Sequence, residues 1–251
     1  MKQSPQERAE RRASFQRLAP SEKLDYIAAY YKLPIVLGLI AAIVLGSALF
    51  RAVTKKEAVL YVGYVNLAVG SELHELLSEG FVRASGEDPG KKEVYVYSGL
   101  YLSEDPAQEN HEYSYASRMK VLAAINARRL DVVLMNAEAY DIFSRSGYLL
   151  ELPPALEEFL PEQYEFLAPF LQKNDVILED NEIEYRLNEA DEYRAVTQSV
   201  ANGLDISRFP VLAAAGFSDT VYFGVIANSP RLPEAMDYAA YLFSESGGAH
   251  E

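Results

Sequence analysis

Apolar residues form one long uninterrupted run near the start of the chain. The eighteen residues Leu33–Phe50 carry no charge, and as an α-helix they would extend about 27 Å, close to the hydrocarbon thickness of a bilayer. Tyr30 and Tyr31 precede the run and basic residues follow it, as is typical of membrane interfaces. The pattern predicts a transmembrane helix over residues 33–51, preceded by a tail over residues 1–32 that includes an amphipathic juxtamembrane helix.

After a stalk over residues 52–57, strand-like and helix-like patterns alternate along the chain. Short β-branched and aromatic runs predict strands, whereas apolar residues at three- and four-residue spacing predict helices. The predicted strands are 58–66, 93–98 and 130–136, and the helices that follow them are 71–84, 113–129 and 137–146. Because this alternation is typical of βαβ units, we expect an α/β fold with a parallel sheet over residues 58–245 and a disordered tail over 246–251.

The pattern becomes less regular beyond residue 150. Residues 155–172 are helix-like in two pieces that Pro161 separates, and a hairpin with an acidic tip is expected around residues 176–186. A last strand over 220–228 and a closing helix over 234–243 complete the predicted domain.

Charge is distributed unevenly between the two sides of the apolar run. Residues 1–32 hold seven Lys or Arg and four Asp or Glu, whereas residues 57–251 hold 13 Lys or Arg and 33 Asp or Glu. The basic tail predicts a single-pass protein of the cell membrane with a cytoplasmic N-terminus and an extracellular domain. So acidic a domain would be repelled by polyanions, which argues against nucleic acid as a partner.

The residue types that carry most enzyme chemistry are scarce. The chain has no cysteine, which excludes disulfides, thiol catalysis, thiolate metal sites and a lipid-modified cysteine anchor. Its three histidines, His74, His111 and His250, are far apart in the sequence, and no phosphate loop or HExxH motif occurs. The acidic run after Asp180 has Tyr185 where a calcium loop needs glycine. We therefore predict no enzymatic activity, no cofactor and no metal site.

Polar side chains at the ends of the predicted strands are the candidate ligand-binding residues. Ligands of open parallel sheets lie beyond the carboxyl ends of the strands. The candidates at or near those ends are Asn66, Tyr97, Ser98, Tyr101, Asn136 and Asn228. Amides and tyrosines suit a neutral polar ligand or a peptide, although Asn and Ser also cap helices at such positions and Tyr also fills cores.

Three stretches resemble parts of extracellular (periplasmic type 2) solute-binding proteins. YASRMKVLAAINARRLDVV, residues 115–133, is similar to a helix–strand element of that family, and NAEAYDIFSRSGYLLEL, 136–152, is similar to the next helix. VYFGVIANSPRLPEAMDYAAYLF, 221–243, resembles the family's returning strand and helix. The YYK before the apolar run and the TKKE after it resemble membrane-anchored proteins of Gram-positive bacteria. The resemblance implies a periplasmic-binding-protein-like fold that is reduced in size.

Two functions therefore stay open for the outer domain. It is either a membrane-tethered, solute-binding-like protein that presents a small polar ligand to a transporter, or a cell-envelope interaction module that keeps the fold without a ligand. Within the apolar run, Gly38, Ala42 and Gly46 repeat every four residues, a small-residue pattern that predicts a homodimer contact between helices in the membrane.

Overall fold

The computed structural model describes residues 32–54, 56–104, 111–181, 185, 192–213, 217 and 219–244. The chain divides into two units, one up to Lys55 and one from Lys56 onward. Residues 1–31 of the predicted tail over 1–32, and the predicted disordered end over 246–251, lie outside the described residues.

The first unit contains a single described helix, α1 (Lys32–Thr54). Every side chain described on it, at residues 33 and 36–47, is exposed. Among the described residues, no helix reaches the length and hydropathy required to cross a membrane. The membrane span over residues 33–51 stays a prediction.

The second unit contains six strands and the helices that connect them. The strands are β1 (Glu57–Val65), β2 (Lys92–Leu100), β3 (Val132–Met135), β4 (Leu171–Asp180), β5 (Ala195–Asp205) and β6 (Tyr222–Val225). The helices are α2 (Ser71–Glu75), a π-helical turn (Leu76–Gly80), α3 (Phe81–Ala84), α4 (His111–Asn126), α5 (Ala137–Arg145), α6 (Leu152–Phe159), α7 (Tyr164–Leu167), a 3-10 turn (Ala168–Phe170), α8 (Pro210–Ala213) and α9 (Leu232–Phe243).

The six strands form one mixed sheet with the order β2-β1-β3-β6-β5-β4. Strand β1 is parallel to β2 and to β3, which confirms the three predicted strand–helix units. The predicted parallel sheet is found only in this part of the domain and the whole sheet is mixed, because β6 is antiparallel to β3 and β5, and β4 is antiparallel to β5. The β4–β5 hairpin makes β5 antiparallel to β4, and residues 206–221, which include α8, then bring the chain back antiparallel to β5 as β6.

Alternation along β1 and β3 gives each face of the sheet its own core. One face packs on α2, α3 and α9 and includes Leu60, Val62, Leu77, Phe81 and Tyr238, and the other packs on α4 and α5 and includes Val65, Ile125, Val133, Met135 and Phe143. Both strands are therefore buried on two sides, and each large apolar side chain contributes about 1.5–3 kcal/mol.

The predicted helix over 71–84 is three helical segments in succession, with the π-helical turn in the middle. Helix α9 contacts this turn, because the Tyr238 hydroxyl donates to the Leu77 carbonyl at 2.8 Å and the Tyr241 hydroxyl donates to the Leu76 carbonyl at 2.9 Å. A Cβ atom at Gly80 would lie 2.5 Å from the Tyr241 hydroxyl. The position of the Tyr241 hydroxyl therefore favours glycine at the end of the turn.

Candidate functional site

Asn66, the first predicted ligand residue, holds a loop in place. Its side-chain amide donates to the Leu102 carbonyl at 2.7 Å and accepts from the Leu102 N–H at 2.8 Å. It also adopts a positive φ of 57°, a conformation that asparagine tolerates better than most residues. The carboxyl end of β1 is thus closed by the loop after β2.

Asn136 is used in a similar way at the end of β3. Its side chain accepts from the Ala139 N–H at 3.0 Å and caps the N-terminus of α5. The Ser103 hydroxyl donates to Glu138 at 2.6 Å, so the loop after β2 also lies over this helix start. Asn66 and Asn136 lie near one another as expected, but both amides bond the protein's own backbone.

The remaining predicted residues of this edge are more accessible. Ser98 is exposed and lies within β2, before the strand ends at Leu100. Tyr101 is half-buried, its backbone N–H bonds the Ser117 hydroxyl at 3.2 Å, and its ring lies 6.5 Å from that of Tyr113.

Asn228 does not lie with the other candidates. Because β6 is antiparallel to β3, the carboxyl end of β6 lies beside the amino end of β3, at the opposite end of the parallel strands from Asn66 and Asn136. There the Asn228 amide donates to the Ile125 carbonyl at 3.0 Å, at the end of α4. The fold therefore does not bring the four polar residues predicted at strand ends into one site; these are Asn66, Ser98, Asn136 and Asn228.

At these amino ends of the parallel strands lies a buried carboxylate that the sequence analysis did not select. Asp131 is 0% exposed, and it accepts bonds from the Tyr61 N–H at 2.8 Å, the Ser229 hydroxyl at 2.7 Å and Arg231 Nε at 2.8 Å. Arg231 also donates to the Arg128 carbonyl at 2.7 Å. We call this arrangement the Asp131 clamp. The signal for it was an acidic residue directly before an all-apolar strand.

A second buried polar network ties α5 to the β4–β5 hairpin. The Tyr140 hydroxyl lies 2.9 Å from Asn202 Oδ1 and 3.0 Å from the Gln172 carbonyl, and the Asn202 amide donates to the Ser144 hydroxyl at 2.8 Å. The Tyr140 and Tyr222 rings stack at 4.6 Å, and burial raises the pKa of Tyr140. All of these groups find partners within the protein, so the network is structural.

Strand β2 has a free edge. Tyr61 directs both backbone groups to Asp131, so Leu60 and Val62 direct theirs to β2. In a parallel ladder the Cα partners of these two residues, Val94 and Val96, direct their own N–H and C=O groups away from β1. In the described part of the chain no strand pairs with this outer side of β2.

A groove lies between the free edge and the helical segment over residues 71–84. Its volume is about 280 Å³. Its lining includes Lys56, His74, Ser78, Glu79, Lys92 and Val94. Lys92 donates to Glu87 at 2.9 Å, and this hydrogen bond raises the pKa of Lys92. The groove therefore combines an apolar wall with charged side chains of both signs.

On the opposite face, three tyrosines form a continuous row along the same edge. The Tyr61 and Tyr95 rings are 5.6 Å apart and the Tyr95 and Tyr97 rings 5.0 Å apart. Arg231 lies over Tyr61 at 4.7 Å and Lys120 over Tyr97 at 5.7 Å. Tyr95 is 45% exposed, whereas burial raises the pKa of Tyr97. We call Tyr61, Tyr95 and Tyr97 the tyrosine row.

The edge of β2 thus offers unpaired backbone groups between a groove and an aromatic row. This combination can take an extended chain, whose backbone would pair with β2 and whose alternate side chains would point to the two faces. Of the predicted residues, Tyr97 and Ser98 belong to this site. Within the described residues, no group of three His, Asp or Glu side chains is arranged to hold a metal ion.

No family model, curated protein or solved structure matches this chain.

The small residues predicted to form a helix contact are accessible on α1. Gly38, Ala42 and Gly46 are all exposed, and a methyl group at either glycine would meet no neighbouring side chain within 4 Å. Association through this face stays a prediction.

Proposed function

We propose that the α/β unit is a cell-envelope interaction module that binds an extended segment of a partner protein along the free edge of β2. The observation that carries this proposal is the position of the edge between the groove and the tyrosine row. Main-chain hydrogen bonds to Val94 and Val96 would supply affinity, and the two flanking surfaces would select the side chains. Tyrosine suits such a surface, because it provides contact area with little loss of conformational entropy.

We also propose that α1 anchors this module in the cell membrane, with the N-terminus in the cytoplasm and the α/β unit outside. The support is the uncharged run Leu33–Phe50 together with the exposure of its large apolar side chains, which range from 48% for Val36 to 72% for Leu33. Exposed apolar surface of this extent needs a membrane or a protein to cover it.

The interaction is tested by selecting peptides from a displayed library of random 12-residue sequences on the full chain in lipid nanodiscs. Hydrogen exchange then measures the backbone amides of Val94 and Val96 with and without a selected peptide. We expect the peptide to slow exchange at both amides, because it would pair with them. Peptides that protect another surface and leave β2 unchanged would contradict the proposal.

Two variants sharpen this test. Tyr95→Ser removes the most exposed ring of the tyrosine row and should weaken peptide binding about tenfold or more, as loss of an aromatic anchor does. Phe166→Ser is the matched control, because Phe166 is 64% exposed on α7 and does not line the groove. Equal effects of the two substitutions would speak against the β2 edge.

Presentation of a small polar ligand to a transporter is the alternative function. The groove favours it, because its volume of about 280 Å³ is near the lower end of the range of ligand sites, about 300 Å³. A panel of sugars, amino acids and short peptides, screened by thermal shift on the full chain, tests this alternative. A shift that His74→Ala abolishes would support it, and no shift with any compound would reject it.

A further inference from the structure

Among the described strands the sheet has a second free edge, at β4, and much of the β4–β5 hairpin extends beyond the sheet. Only Leu204 and Asp205 of β5 pair with β6. Going along the hairpin away from the sheet, the final hydrogen bond to α5 is donated by the Ser144 hydroxyl to the Asp175 carbonyl, at 3.2 Å. We call residues 177–180 and 192–199, which lie beyond this bond, the β-arm.

The β-arm exposes apolar side chains. Leu178 and Val196 are each 57% exposed, and all residues from 192 to 199 are exposed. A two-stranded ribbon without a covering layer is only marginally stable in water, and apolar groups on it are typical of a contact surface. The β-arm therefore has the composition of a segment that docks on another surface.

Charge indicates what that surface is. Residues 179–192 contain seven acidic residues and one basic residue, and Glu179, Asp180 and Glu192 are described and exposed. Residues 113–130, which include most of α4, contain four basic residues and no acidic one. Lys120 lies over the ring of Tyr97 of the tyrosine row, at 5.7 Å, and the positive charge of Arg129 also acts on the Tyr97 hydroxyl. The arm and the β2 edge are thus complementary in charge as well as in their apolar and aromatic groups.

We propose that the β-arm of one copy of the chain docks on the β2 edge of a second copy. Leu178 and Val196 would contact the tyrosine row, and the acidic residues of the arm would face Lys120 and Arg129. This inference rests on the proposed function of the β2 edge and names the partner. Because the arm and the β2 edge lie at opposite ends of the same sheet, the contact is head-to-tail and produces a ring or a chain of copies.

Engineered cysteines test this contact, because the natural chain contains none and only the designed thiols can pair. Ser98→Cys labels β2 and Thr197→Cys labels the arm, each in a full chain with its own affinity tag, in nanodiscs that hold several copies. Both chains also carry Gly38→Ile and Gly46→Ile to remove contacts through α1. We expect disulfide-linked pairs at least tenfold more often in the mixture than in either chain alone.

Charge exchange provides the second measurement. Lys120→Glu should lower the cross-linked yield about two- to fivefold, as expected for an exposed ion pair, and Glu179→Lys in the other chain should restore it. Arg208→Glu is the matched control, because Arg208 is exposed and outside both surfaces. No excess of cross-linking in the mixture, or equal effects of Lys120→Glu and Arg208→Glu, would overturn the inference.

The two proposals fail separately. Selected peptides that protect Val94 and Val96 while the two cysteine chains do not cross-link would leave the β2 edge as a binding site and reject the second copy as its partner. Loss of both results would reject the binding site itself.

Discussion

The parallel and antiparallel halves of the sheet secure their buried polar groups by different means. In the parallel half, one carboxylate, Asp131, holds a strand, a turn and the start of α9 through a backbone N–H, a hydroxyl and a guanidinium. In the antiparallel half, the neutral groups of Tyr140, Ser144 and Asn202 connect α5 to the hairpin. Asp131 can bond several chain segments because they meet at one point. The long hairpin is instead bonded to α5 at several points along its length.

The same difference explains which parts of the sheet are covered. Strands β1 and β3 have helices on both faces, and β3 is buried throughout. The hairpin is covered only near its bonds to α5: Val176 and Ile177 are half-buried, and residues 178–180 beyond them are exposed. Buried apolar packing is therefore concentrated in the parallel half, whereas the far end of the hairpin in the antiparallel half exposes its side chains.

The Asp131 clamp predicts the largest effect. Asp131→Ala leaves Arg231 Nε and the Tyr61 N–H without their partner, and it should lower the free energy of unfolding by about 3–5 kcal/mol. Urea unfolding of the full chain, followed by circular dichroism, measures this change. Asp141→Ala is the control, because Asp141 forms an exposed i,i+4 pair with Arg145 at 3.6 Å and should cost less than about 0.5 kcal/mol. Similar losses of stability in both variants would show that the Asp131 clamp contributes no more than an exposed ion pair.

The neutral network of the antiparallel half should be weaker. Tyr140→Phe removes a hydroxyl and should lower the free energy of unfolding by about 1–3 kcal/mol, because Asn202 Oδ1 and the Gln172 carbonyl lose their bond to it. Tyr222→Phe tests the specificity of this loss, since it keeps the stacked rings and should cost clearly less. If Tyr140→Phe cost as much as Asp131→Ala, the contrast between the two halves would disappear.

Replacing one buried tyrosine of the parallel half by phenylalanine should stabilise the protein. Among the described residues, the Tyr64 hydroxyl is the one buried side-chain polar atom without a hydrogen-bond partner. Tyr64→Phe removes an unsatisfied group and should raise the free energy of unfolding by about 1 kcal/mol. Tyr238→Phe should lower it by about the same amount, because that hydroxyl bonds the Leu77 carbonyl. The two chemically identical substitutions should thus shift the urea midpoint in opposite directions.

The β-arm should show the smallest effect on stability. Leu178→Ser and Val196→Thr alter exposed side chains and should change the free energy of unfolding by less than about 0.5 kcal/mol. Leu204→Ala, on the same hairpin but 0% exposed, should cost about 2–5 kcal/mol. A large loss from the arm substitutions would mean that the arm packs within its own chain.

The first half of the domain could be predicted from the sequence, because local periodicity determines strands and helices that are buried in regular ways. The first three strands and the helices after them lie within a few residues of their predicted positions. The antiparallel direction of β6 could not be predicted, since it depends on the pairing of a hairpin that begins at Leu171, 36 residues after β3 ends at Met135. The residues of β6 have the same strand propensity whether the strand pairs parallel or antiparallel with its neighbours.

The predicted ligand residues illustrate a different limit. Asn66 and Asn136 lie at the strand ends as expected, but sequence does not reveal whether an amide will bond a ligand or the backbone of a neighbouring loop. The free edge of β2 was equally hidden, because strand order, unlike strand position, is a property of the whole chain.

The Asp131 clamp also has a consequence for how the chain folds. It joins Asp131 to residues 70 positions before it and 98 and 100 positions after it. Contacts between such distant positions form slowly, after local helices and hairpins. We expect the clamp to be absent from the folding transition state, so that its loss would accelerate unfolding and leave the refolding rate nearly unchanged. The bond that closes last would then set the lifetime of the native domain.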